Sequence, residues 1–237
     1  MAIDWVEPIR AYCERGDGGF WAEPFGAVSN AAFLVAAAAA ALRARAARDP
    51  AALALAGLVA VVGFGSFLFH TLAVFWAMLA DVVPIAAFVV AYVLLALRRF
   101  LDLSWLAATP LTVAFAAIDL GLTPVLEAAT GLPLARLTNG SLDYLPAALA
   151  LAGVTAALLV RPDPAGLRRT TALRLAGIAA LFLVSLALRT VDRAACAAIP
   201  FGTHGFWHVL NAAVLYALVA TAVRHRTGAT ADSCGRT

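Results

Sequence analysis

Residues 201–212, Phe-Gly-Thr-His-Gly-Phe-Trp-His-Val-Leu-Asn-Ala, carry two of the chain's four histidines four positions apart, at the mouth of an apolar run that continues to about residue 223. On a helix, positions i and i+4 stand above one another, so His204 and His208 aim two imidazoles at one point. Ionisable side chains within a membrane span are rare and costly, which makes them functional candidates. His70 closes another apolar run, with Ser66 one turn before it and Asp81 eleven residues after it. Three imidazoles with an open fourth position are the ligand set of a catalytic zinc, which lowers the pKa of a bound water towards neutrality. Asp81 is then suited to accept the water's proton, and Ser66 to donate a hydrogen bond to that water or to an oxyanion. The chemistry implied is hydrolysis of a carbonyl compound that arrives from lipid. The competing reading, an interface histidine at a span end, suits a single His and is assigned to His225 in the basic C-terminal stretch.

The elements that must position these groups are membrane spans. The chain has 237 residues, of which 63% are hydrophobic and 13% charged. That apolar fraction exceeds what a soluble domain buries, so the chain is a polytopic membrane protein. All 17 basic residues are Arg. Without a Lys there is no amine for a retinal Schiff base, which excludes a seven-helix retinal protein. A net charge of +3, spread along the chain, gives no nucleic-acid footprint. Apolar stretches of spanning length lie at 25–42, 51–71, 75–97, 104–122, 142–160, 171–189 and 203–223. The second and third spans meet in a tight hairpin near residues 72–75, and Pro84 kinks the third span without ending it.

Twelve arginines, within 43–48, 98–99, 161–174 and 224–236, fall on one side of this arrangement, and five (Arg10, Arg15, Arg136, Arg189 and Arg193) on the other. The positive-inside rule then places the N-terminus outside and the C-terminus inside. The expected fold is an all-α seven-transmembrane helix bundle, N-out/C-in. His70, Asp81, His204 and His208 lie at one level, so the zinc site sits near the N-terminal-side face. Residues 1–24 form an extramembrane loop without a cleaved signal peptide, 25–226 the membrane domain, and 227–237 a disordered tail. Asp119, Asp143 and Tyr144 share the level of the site. Tyr144 is a candidate substrate-headgroup contact, Asp143 a carboxylate at a helix N-terminus, and Arg189, Asp192 and Arg193 a set of interface ion pairs.

Tyr12-Cys-Glu-Arg15, Trp21-Ala-Glu-Pro24 with Val28-Ser-Asn30, Ser66-Phe-Leu-Phe-His70 with Asp81, and His204-Gly-Phe-Trp-His208 resemble the signature of the alkaline ceramidase family. That family lies within a wider superfamily of seven-span membrane hydrolases and receptors that includes the adiponectin receptors. The similarity is to its bacterial members and covers nearly the whole chain. It implies a seven-helix zinc hydrolase of the bacterial inner membrane that cleaves the amide of ceramide, or of a similar N-acyl lipid, to a sphingoid base and a fatty acid. His70, His204 and His208 match the family's zinc ligands, Asp81 its acid/base and Ser66 the hydroxyl near the metal-bound water. Trp207 would line the substrate cavity or, alternatively, anchor the aromatic belt. Glu14 and Glu23 match acidic calcium ligands of the animal members. With Asp17 they offer hard oxygen donors, or else form a solvated acidic loop. The family's acid before Tyr12 is Ala11 here, and the Asn of the next motif is Gly26. Cys13 and Cys196, both on the outward side, are candidates for a disulfide or for two buried thiols; Cys196 matches a family Cys. The alternative function is a zinc-containing receptor-like protein of the same superfamily, without obligatory turnover.

Overall fold

The computed structural model describes residues 3–16, 18–163 and 166–234. They form α1 (Pro24–Ser29), α2 (Ala31–Ala46), α3 (Pro50–Leu72), α4 (Phe75–Arg99), α5 (Trp105–Thr130), α6 (Leu134–Leu137), a 3-10 turn (Ser141–Tyr144), α7 (Leu145–Leu159), α8 (Leu167–Ala195) and α9 (His204–Cys234). Seven segments are long and apolar enough to cross a membrane: α1 running into α2, then α3, α4, α5, the 3-10 turn with α7, α8, and α9. The chain is a multi-pass integral membrane protein. Helix ends differ most from the sequence reading. α5 runs to Thr130, α8 spans 167–195, and α9 continues to Cys234 where a disordered tail is expected. Hydropathy measures the thickness of a bilayer core, whereas a helix already nucleated propagates past the last apolar residue at little cost.

The last span is the most buried of the seven, and the fourth and fifth are the least. α9 is thus the central rod, packed by α2 on one side and α8 on the other, with α3 and α4 closing over it. Phe33, Val59, Val62, Phe88, Leu175 and Val219 fill the space between them.

α3 begins where Asp49 accepts the Ala52 amide (3.2 Å) and Pro50 occupies the first turn, a position at which its missing N–H costs nothing. The same carboxylate pairs with Arg99 at the end of α4 (2.7 Å), and Arg99 donates on to the Ala222 carbonyl of α9 (3.1 Å). Three helices are clamped together at the end remote from His70, His204 and His208. Burial would raise the Asp49 carboxyl, but the Arg99 hydrogen bond and charge, the Ala52 amide and Arg226 outweigh it and hold it below the usual range.

The hairpin between α3 and α4 falls at residues 73–74. Ala73 takes the left-handed conformation (φ 46°) as the C-cap of α3, Val74 is extended, and α4 continues through Pro84. No Gly or Pro marks this turn because an alanine occupies the left-handed position. It is held from outside: Ile9 N–H donates to Ala73 O (2.7 Å) and Phe75 N–H to Glu7 O (3.1 Å), so the N-terminal segment straps the hairpin and leads Tyr12 over the bundle. Further down, a methyl group on Gly65 would overlap the Ala80 carbonyl of α4. Glycine lets the two backbones close, which sets Ser66 beside Asp81.

Candidate functional site

His70 arrives on the last turn of α3, His204 opens α9, and His208 follows one turn later. Their exposures are 1%, 3% and 0%. The ring centroids lie 4.6 to 5.1 Å apart, and one nitrogen from each ring falls within 4.8 Å of the others.

Neighbouring hydrogen bonds fix which nitrogens are available. His70 Nδ1 is 2.5 Å from a Glu23 carboxylate oxygen. A carboxylate only accepts, so the proton resides on Nδ1 and the Nε2 lone pair is free. The Ser29 hydroxyl donates its single proton to the Gly26 carbonyl (2.8 Å) and must therefore accept from His208 Nδ1 (2.7 Å). His208 Nε2 is freed in the same way. Both Nε2 atoms and both nitrogens of His204 are buried without a hydrogen-bond partner. Buried polar atoms are rarely left so. Three neutral imidazoles converging on one point therefore fit a divalent metal with nitrogen preference, and zinc in particular.

The supports are as specific as the three imidazoles. Glu23, 2% exposed, joins His70 to Arg15 (Nε to Oε1, 2.5 Å), and Arg15 also donates to the His70 carbonyl (3.0 Å). Glu14 accepts the amides of Phe25 (2.6 Å) and Gly26 (2.7 Å), stabilising the N-terminus of α1. The two carboxylates expected to bind calcium accept from an imidazole, a guanidinium and the amides at a helix end. Asp17, the third, lies outside the described residues. Gly26, a departure from the family pattern, has a packing reason: a Cβ there would lie 2.7 Å from His70 Nδ1.

Asp192 is the residue the sequence reading missed. It is fully buried, and its Oδ1 accepts the amides of Thr203 (2.6 Å) and His204 (2.8 Å), capping the helix that carries His204 and His208. The expected ion pairs of Arg189, Asp192 and Arg193 do not form. Arg193 donates to the carbonyls of Ala11 and Arg10, and Arg189 turns inward. An acid directly before an arginine reads as surface in a sequence, and only the return of the chain at residue 203 shows what it caps. Cys13 and Cys196 are joined, with Cα atoms 5.4 Å apart, beside this cap.

Asp81 (4% exposed) and Ser66 (1%) lie next to the triad. Asp81 Oδ1 is buried without a hydrogen-bond partner, Ser66 Oγ is buried beside the same carboxylate, and Asp81 is close enough to His70 to interact with it electrostatically. Tyr12 stacks on His204 (3.7 Å) and His70 (5.0 Å), and burial pushes its hydroxyl up, against the opposing pull of Arg189. Trp207, 1% exposed, stacks on His204 (5.0 Å) behind the three imidazoles, which is no aromatic-belt position. Tyr144 lines an apolar cleft between α4, α7, α8 and α9 with Phe88, Leu151, Phe182, Asn211 and Leu215. Asp143 accepts from Thr123 (2.6 Å), and His225 hydrogen-bonds Thr171 (2.8 Å) against Phe100 at the far end of the bundle.

No curated protein matches the chain at a significant level. A family model described as Ceramidase matches residues 12–233, from the Tyr12 strap through the whole of the metal-fitting triad and nearly to the end of α9, and the chain belongs to that family.

Proposed function

We propose that the protein is a zinc-dependent amidohydrolase that cleaves the N-acyl amide of ceramide or a related lipid to a sphingoid base and a fatty acid. The observation that carries this is the set of free, buried nitrogens on His70, His204 and His208 beside the unpaired carboxylate oxygen of Asp81. Those three residues would hold the metal, which supplies Lewis acidity and a water of lowered pKa.

The remaining steps belong to the chain. Asp81 takes a proton from the attacking water and returns it to the amine as the C–N bond breaks. Ser66 Oγ, beside the Asp81 carboxylate, donates to the oxyanion that develops on the acyl carbon. The cleft lined in part by Tyr144 and Asn211 holds an alkyl chain out of water, and its walls are almost entirely apolar. Glu23 and Ser29 keep two imidazoles in the tautomer that leaves Nε2 free. The arginine distribution and the Cys13–Cys196 bridge support an orientation with the site facing an oxidising exterior. A reporter fused after residue 237 that is active only outside the membrane would refute that orientation.

The purified protein, assayed for metal, is incubated with a panel of N-acyl lipids, and released fatty acid is measured with and without a chelator. Wild type releases fatty acid until chelated. His204→Ala loses both zinc and turnover, whereas Asp81→Asn retains zinc and loses about 10²- to 10⁴-fold in rate. Full turnover by Asp81→Asn, or native protein without zinc, refutes the mechanism. A receptor-like role would show zinc retention with no turnover in any variant.

A further inference from the structure

Arg189 reaches the polar centre of the bundle without a carboxylate in ion-pair contact, and the Asp81 carboxylate attracts it only at longer range. It projects from α8, its Nε is buried with no hydrogen-bond partner, and none of the ion pairs among the described residues involves it. Other arginines at depth are answered: Arg15 by Glu23 and Arg99 by Asp49. A guanidinium stays charged at any accessible pH and presents a planar fork of N–H donors suited to two oxygens at once.

Its surroundings prepare it for such a partner. The guanidinium carbon is 4.8 Å from the Trp207 ring and 5.4 Å from the Tyr144 ring, and the Tyr12 hydroxyl is adjacent. The Trp207 and Tyr144 faces attract the cation without occupying its N–H edge, the Tyr12 hydroxyl takes part of that edge, and Nε is left without a partner. Those three rings are also the ones that link the two halves of the site. Trp207 and Tyr12 stack on His204, and Tyr144 both lines the apolar cleft and packs on Trp207 (6.0 Å). Arg189 therefore stands where an alkyl chain in the cleft would meet the triad.

We infer that Arg189, flanked by Tyr12 and Tyr144, is a carboxylate receptor of the lipid site. The inference rests on the hydrolase reading, and it names what that reaction presents. Hydrolysis transfers the oxygen of water to the acyl carbon, breaks the C–N bond and leaves a carboxylate on the fatty acid and a proton on the amine. A substrate whose amine half is an amino acid brings a carboxylate of its own. The ligand chemistry is the same from either source, and a bidentate guanidinium–carboxylate pair is the contact.

The test compares hexadecanoic acid with hexadecanol for displacement of a fluorescent fatty acid from the purified full-length protein in detergent, above the pKa of the acid. Wild type prefers the acid. Arg189→Gln weakens acid binding by about tenfold to a hundredfold and leaves the alcohol bound as before. Arg189→Lys, which keeps the charge and loses the fork, and Tyr12→Phe give smaller losses of the same preference, and serve if Arg189→Gln does not fold. Equal binding of acid and alcohol by wild type, or an undiminished acid preference in these variants, overturns the receptor.

Turnover separates the sources. If the product is the ligand, inhibition by added fatty acid weakens in Arg189→Gln in step with binding. If the headgroup is the ligand, discrimination in kcat/KM between an N-acyl amino acid and a neutral ceramide collapses. Arg189-dependent acid binding without turnover of either lipid removes the hydrolase reading alone. Turnover by wild type without acid preference removes the receptor alone.

Discussion

Replacing Glu23 by Gln separates a support for the metal site from a calcium ligand. The side chain keeps its size, but one carboxylate that accepts from both His70 Nδ1 (2.5 Å) and Arg15 Nε (2.5 Å) becomes an amide with a single acceptor oxygen. One donor then faces the new NH2 group, and Arg15 loses its counter-ion in a place where Glu23 is 2% exposed. Losing the partner of a ligand histidine costs about 10- to 100-fold in metal affinity, or roughly 1.4 to 2.7 kcal/mol. Breaking a buried ion pair costs about 3 to 5 kcal/mol of stability, so the fold suffers more than the metal. Competition with a chromophoric zinc chelator reads the first effect, and melting of the chelated protein reads the second. Glu14→Gln is the control. Its carboxylate serves the Phe25 and Gly26 amides, so melting falls without the loss of zinc affinity. If the two acids instead formed a calcium site, both variants would abolish a calcium-dependent rise in melting temperature. Zinc affinity of Glu23→Gln within about twofold of wild type would refute the support role.

Ser29→Ala leaves His208 Nδ1 without its acceptor and should lower zinc affinity by about tenfold or more, read in the same competition assay; Ser29→Thr, which keeps the hydroxyl, should restore most of it. Acid stability is set at the other end of the bundle. The folded Asp49 carboxyl lies below its unfolded value, so its contribution is complete above the ordinary aspartate pKa of about 3.9 and is lost as pH falls through the lowered folded value. Melting temperature should therefore drop below about pH 4 in wild type, while Asp49→Asn melts lower at neutral pH and shows a shallower drop. Parallel curves for the two proteins would remove Asp49 as the source.

Composition alone determined that the chain spans a membrane, since 63% hydrophobic residues leave no soluble alternative. Local spacing determined which groups can do chemistry. The i, i+4 rule sets His204 over His208, and a histidine or aspartate in an apolar run stands out against its neighbours whatever the packing. What no local rule contains is which distant group completes a charge. Glu23 and Glu14 look alike in a polar loop of the sequence, yet one serves a ligand histidine and the other a helix end, because α1 folds back under the α3 hairpin. Arg189 and Asp192, three residues apart near the end of an apolar helix, read as one ion-paired cluster. Less than one helical turn sends the first towards Trp207 and the second to the amides of Thr203 and His204. Periodicity gives each residue its face on a helix, but only the crossing of helices decides what that face meets.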